Sequence, residues 1–194
     1  MIAGHFGFAA LVKARERSTP LWALMLATVW LDVVFVPLFL AGIETIEAAP
    51  GTHGGYGAGI IHADYTHSLL GALALSVLFA ALYLGRCGRR VAMVLGLVAF
   101  SHWVLDLLVH RSDLPLLPGH AGALRFGFGL WRTPWAAAAL EALVVVVGAA
   151  CYFQAARAVS LASAVSTRQA TLASALILAG GLVVLALDFS GVLG

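Results

Sequence analysis

The chain of 194 residues is 62% hydrophobic and only 10% charged, with a formal net charge of +2 and a mean hydropathy of +0.99. A soluble domain carries about 25% charged residues, so this chain lacks the polar groups to cover a globular surface, and the bilayer must act as its solvent. The small net charge, with no basic stripe among aromatics, excludes nucleic acid as a partner, and Cys87 and Cys151 form no CxxC pair that would announce a disulfide framework or a thiolate metal site.

In chain order, residues 1–13 (MIAGHFGFAALVK) are apolar but too short to span, and read as a half-membrane or interfacial helix that ends at KARERSTP. They show neither a basic leader nor a small-residue cleavage site, so the segment is expected to be retained. Five later windows reach the roughly 20 apolar residues that a crossing needs: 20–42, 66–85, 90–110, 134–157 and 170–193. Pro20 and Pro134 fall at the first turn of two of them, where the missing N–H is harmless. The expected fold is an all-α polytopic membrane protein, one domain over 1–194, with about five transmembrane helices and a short N-terminal half-membrane helix. The loops 43–65 and 111–133 are rich in Gly and Pro, and 158–174 reads as a short linker.

Five spans place loops 13–19, 86–90 and 157–169 on one side with eight basic residues, leaving Arg111, Arg125 and Arg132 on the other. The positive-inside rule assigns the eight to the cytoplasm.

The polar residues inside these windows converge in depth. Asp32 and His102 each lie twelve residues from the cytoplasmic start of their windows, or roughly 18 Å up. Asp106 is one turn further out, and His67 is at the outer mouth of the second window. Glu141 lies roughly 10 Å down from the outside, and His5 reaches a similar layer. In SHWVLDLLVH, residues 101–110, steps of four put His102, Asp106 and His110 on one helical face. A carboxylate at this depth costs about 3 kcal/mol or more, so it needs a partner or a task. Imidazole and carboxylate suit zinc, with manganese, iron or nickel as alternatives, and one or two ions would offset the buried charge. The opposing reading is a set of ordinary polar pairs: His102 bonded to Asp106, Asp32 to Trp30 or a histidine, and Thr66 or Ser68 capping a helix beside His67. Asp188 is expected to pair or snorkel. His110 and Asp113 are expected to be solvated at the interface. His53, His62, Asp64 and His120 are expected to be surface groups of the outer loops.

The order MIAGHFG, VWLDVVFVPL, DYTHSLLGAL and FSHWVLDLLVH resembles the bacterial inner-membrane metal-dependent hydrolases known as LexA-binding, inner-membrane-associated hydrolases. The resemblance runs through about residues 1–118. It is more distantly similar to zinc-dependent phospholipase C and the P1-type nucleases. The resemblance implies metal ligands at His5, Asp32, His67, His102 and Asp106, with Asp106 bridging two ions. It implies a catalytic role for Asp32, as ligand or water-orienting base; Glu141, beyond the stretch that carries the resemblance, is a candidate general base if it faces the bundle. It also implies an inner (cytoplasmic) membrane location, with the site on the periplasmic side. The activity to expect is hydrolysis of a phosphoester or lipid headgroup by a metal-activated water. Whether the chain is an enzyme stays open at this stage. A permease moving an ion or proton along the same His and Asp residues is the principal alternative, though no inverted repeat supports it. A bis-His haem carrier and an interaction protein are further alternatives.

Overall fold

The computed structural model describes residues 1–51, 55–119, 124–162 and 167–191. Helix α1 (Ile2–Arg15) is held in the interior by its small residues: Ala3, Gly4, Gly7, Ala9 and Ala10 are buried along with His5. A Cβ added to Gly148, in α5 (Pro134–Ala162), would lie 2.0 Å from the Gly7 carbonyl oxygen, so these two backbones touch. Small residues permit such close approach between membrane helices. The N-terminal segment is thus a rod of 14 residues, roughly 21 Å long. It packs against α5, α2 (Leu21–Thr28) and α6 (Thr167–Phe189) rather than lying at the interface.

Pro20 precedes α2 as expected, but the first window is not one straight helix. At Val29 (φ −112°, ψ 14°) the chain leaves helical geometry, and α3 (Trp30–Leu40) continues at 47° to α2. Thr28 and Val29 are β-branched and crowd the preceding turn, and the Thr28 hydroxyl donates to the Met25 carbonyl at 2.9 Å, a back-bond that bends helices. The break sets Asp32 in the first turn of α3.

Helix α4 (Leu69–Val109) has 41 residues and would be roughly 62 Å long if straight. It reverses at Gly88, whose φ of 78° and ψ of 167° only glycine adopts without strain. Beyond that turn, a Cβ on Gly96 would meet the Ala80 Cβ at 2.9 Å, so the two arms run back along each other. The windows 66–85 and 90–110 therefore form a helical hairpin with a tight turn in place of a loop. Arg90 of the second arm donates to Glu16 Oε2 at 3.0 Å, tying the turn to the end of α1. The Ser18 hydroxyl and backbone N–H donate to the other Glu16 oxygen and, with Arg90, hold that carboxyl below the usual carboxylate range. Lys13 Nζ donates to the carbonyls of Arg17 and Thr19, each at 2.8 Å.

Two small hairpins stand where only loops were expected. Strand β1 (Thr45–Ala48) pairs antiparallel with β2 (Gly59–His62), Thr45 opposite His62. Strand β3 (Leu114–Pro115) pairs with β4 (Arg125–Phe126). Each gives loop backbone the partners that no helix supplies there. Among the described residues, Leu69–Val109, Pro134–Val159 and Thr171–Phe189 are long and apolar enough to cross a membrane, and the bent α2–α3 pair makes a fourth candidate. Leu24, Phe79 and Leu95 form the core between α2 and the α4 arms, and Leu31, Ala72 and Trp103 fill the layer beside His67 and His102.

Candidate metal centre

Four elements deliver five side chains to one point. His5 comes from the buried face of α1, Asp32 from the first turn of α3, and His102 and Asp106 from successive turns of α4. His67 comes from the turn before α4, where Ser68 caps the helix by accepting from the Gly71 N–H at 3.0 Å. His102 Nε2 lies 2.9 Å from Asp106 Oδ2, and both His67 Nε2 and His102 Nε2 lie 3.5 Å from Asp32 Oδ1. The two Nε2 atoms of His67 and His102 are 3.1 Å apart. His5 Nε2 is 3.2 Å from Asp106 Oδ1, and its ring stacks on that of His102 at 3.9 Å.

The hydrogen bonds behind the rings settle which nitrogens face inward. Glu44 is fully buried, and its Oε1 accepts from the backbone N–H groups of Tyr65 and Thr66, each at 2.8 Å. Its Oε2 accepts the Thr66 hydroxyl proton at 2.8 Å. That hydroxyl has one proton, so its oxygen accepts from His67 Nδ1–H at 2.8 Å. His102 Nδ1–H donates to the Thr28 carbonyl at 2.6 Å, beside the α2–α3 break. Where the rings are neutral, Nε2 of each is a lone pair, aimed at the other and at carboxylate oxygens. Lone pairs at this separation repel unless a cation lies between them.

The distances suit such a cation. Zinc bonds of 2.0–2.1 Å in a tetrahedron put ligand atoms about 3.4 Å apart, and the triangle of Asp32 Oδ1, His67 Nε2 and His102 Nε2 has edges of 3.1, 3.5 and 3.5 Å. Among the described residues, two groups meet the requirement of mutually close ligand atoms: Asp32, His67 and His102, and His5, His102 and Asp106. Nδ1 of His5 and both oxygens of Glu141 are buried without a hydrogen-bond partner among the described residues, and His5 Nε2 and Asp106 Oδ1 face each other. Buried polar atoms are rarely left so, and orphans clustered beside a ligand set point to an ion.

Glu141 is fully buried in α5, with Oε1 3.9 Å from the Met1 nitrogen, which is itself 4.0 Å from Asp106 Oδ1. It therefore stands on the His5 side of the cluster. Asp188 lines the cavity beyond the cluster. His62 is partly exposed beside Glu47, at 3.5 Å, in keeping with a surface group. His53 and His120 lie outside the described residues.

Two expectations are corrected. His110 and Asp113 are not solvated: they are 2% and 3% exposed. His110 is the residue at which α4 ends, and from there the chain turns inward under β2. Its Nδ1 donates to Asp113 Oδ1 at 3.0 Å, Asp113 Oδ2 accepts from the Ile61 N–H at 3.1 Å, and its ring lies 4.4 Å from that of Trp131. His110 Nε2 is left 3.7 Å from Asp106 Oδ2, facing the cavity. Asp64 is also buried, paired with Arg125 at 3.0 Å rather than exposed. Glu44 was missed altogether, because an acid in a loop reads as solvated; its only signal is the buried backbone of the turn at Tyr65 and Thr66.

A cavity of about 610 Å³ lies over the cluster, with His5, Asp32, His67, His102, Asp106 and His110 in its wall. Comparison of the chain with family models, with curated proteins and with solved structures finds no match in any of the three.

Proposed function

We propose that the protein is a membrane-embedded metal-dependent hydrolase acting on a phosphoester or lipid headgroup. The observation that carries this reading is the pair of Nε2 atoms 3.1 Å apart, closed by Asp32 Oδ1 into a triangle of the size a tetrahedral ion needs. Asp32, His67 and His102 would hold one cation, and His5 and Asp106 would serve a second. Zinc is the leading candidate from the donor set, with manganese, iron or nickel as alternatives. A divalent ion bound there would lower the pKa of a coordinated water to about 7 and stabilise charge on a phosphoryl oxygen.

The chain's own residues do the rest. Thr66, backed by Glu44, and the Thr28 carbonyl fix the imidazole tautomers, the role that outer partners of metal-bound histidines play. Asp113 orients His110 toward the cavity. Glu141 is the candidate base beside the His5 half. Among the described residues the cavity wall carries no lysine or arginine, so bound cations would supply much of the counter-charge for an anionic substrate group. The resemblance of residues 1–118 to the LexA-binding, inner-membrane-associated hydrolases supports the same reading. Counting the α2–α3 pair and each arm of α4 as crossings, with α5 and α6, gives five spans. The clustered basic residues then face the cytoplasm of a bacterial inner membrane, and the metal centre lies in the opposite half.

A second reading has one observation behind it. The 2.9 Å contact of His102 with Asp106 is also what a proton carried on that pair would produce, as in a proton or ion permease. Hydrolysis of bis(4-nitrophenyl) phosphate by zinc- or manganese-loaded protein, set beside proton flux in liposomes, separates the two. The hydrolase reading predicts turnover that Glu141→Gln lowers while the metal is retained. Proton flux without turnover would overturn it.

A further inference from the structure

We propose that the substrate is a membrane amphiphile that enters the cavity sideways, between α1 and α3, with its headgroup drawn in and its chains left in the bilayer. This deepens the hydrolase reading and rests on it for what happens to the headgroup.

The cavity is polar at its floor and apolar at one side. Its floor is the His and Asp cluster. In its wall, the Tyr56 hydroxyl and the Trp131 indole N–H are buried facing each other, the indole N–H directed at the phenol oxygen. The phenol O–H can then donate to a headgroup oxygen beside the cation site. Another side is lined by Ile2, Phe35 and Val36. Ile2 and Val36 line the cavity and are 41% and 50% exposed.

The helix packing explains why this side is open. The bend at Val29 swings α3 away, so that α3 packs on α4 and α2, while α1 packs on α5, α2 and α6. The N-terminal end of α1 and the middle of α3 are left as two jambs with the metal cluster between them. Their outward residues continue as an apolar face: Val33 and Leu40 on α3 are 44% and 79% exposed. That face belongs to the hydrocarbon layer. The water-facing side is instead roofed by β1, by β2 and by residues 55–58. A soluble phosphoester would have to pass this roof, whereas a lipid already lies at the jambs. The headgroup reaches the cluster without its chains leaving hydrocarbon, so no apolar surface has to be exposed to water.

The test uses phosphatidylethanolamine with a diazirine on its headgroup amine, in phosphatidylcholine vesicles holding the metal-loaded protein. Cross-links are mapped by mass spectrometry. Labelling of residues 55–58 or Trp131 is expected in the wild type and its loss in the Ile2→Trp/Val36→Trp variant, where two indoles fill the gap. Val33→Trp, on the same outward face but away from the cavity wall, is the control for folding and should label normally. Metal content is read on every sample. Undiminished labelling in the double variant would overturn the lateral route. Equally strong labelling by the chain-free glycerophosphoethanolamine probe, carrying the same diazirine, would overturn it too and place entry at the roof. A wild type that labels but holds no metal would sink the hydrolase reading alone.

Discussion

Thr66 links a buried acid to a metal-facing imidazole, and replacing it with valine isolates that link. The side chain is 1% exposed, and valine keeps its shape while removing the hydroxyl. Two hydrogen bonds go: the donation to Glu44 and the acceptance from His67 Nδ1–H, each 2.8 Å. Glu44 keeps the N–H groups of Tyr65 and Thr66, so the turn that carries His67 stays anchored. The imidazole, no longer held in one tautomer, can place its proton on Nε2, where it blocks the cation. Losing such a partner weakens metal binding by about 10–100-fold, or roughly 1.4–2.8 kcal/mol. The unpaired Nδ1 donor costs about 1–3 kcal/mol of folding stability as well. Competition against a chelator of known affinity, on detergent-purified protein, measures the binding loss directly. Thr66→Ser restores the hydroxyl and should return near-wild-type affinity. Wild-type affinity in Thr66→Val, or an equal loss in both variants, would refute the tautomer argument.

Other perturbations test the remaining parts. Gly148→Ala puts a methyl 2.0 Å from the Gly7 carbonyl. It should push α1 and His5 off the cluster, lowering stability by about 1–3 kcal/mol and removing metal from the His5 side, as read by thermal unfolding and elemental analysis. Removing metal from the wild type should lower the unfolding midpoint, since ligand at a hundred times its dissociation constant stabilises by about 2.7 kcal/mol; Asp106→Ala should show a smaller shift. Because the Glu16 carboxyl is held below its ordinary value, its contribution is fully present above about pH 4.3, the unfolded value. It is lost as pH falls through the lower folded value. Arg90 is 79% exposed, so solvent screening keeps the effect within about 1 kcal/mol. The difference in unfolding midpoint between wild type and Glu16→Gln should vanish in that acid range, and a constant difference would contradict the assignment.

The apolar windows were readable because hydrocarbon length and composition alone set them, and the gathering of His5, Asp32, His67, His102 and Asp106 followed from a common depth. Depth counting cannot see rotation or bends, however. The break at Val29 comes from local crowding by β-branched residues, which a hydropathy average smooths away, yet it supplies the carbonyl that orients His102. Gly88 was legible as a basic, glycine-containing boundary but not as a reversal, because its positive φ is a property of the folded chain. His110 shared the face of His102 and Asp106. It was assigned to solvent because hydropathy falls at Arg111, whereas the chain turns inward there and Asp113 and Trp131 enclose the ring. Glu44 was invisible for a related reason: loops are read as wet, and this one is folded over the site by the β1–β2 hairpin.

Metal stoichiometry is the most direct measurement of the central claim. Elemental analysis of detergent-purified wild type, His102→Ala and Asp106→Ala should find one or two tightly held zinc, manganese, iron or nickel ions in the wild type. Both variants should lose metal, since His102 belongs to both ligand groups and Asp106 joins them. Wild-type protein that stays metal-free after incubation with each of those ions would contradict the account and leave the cluster as a path for protons.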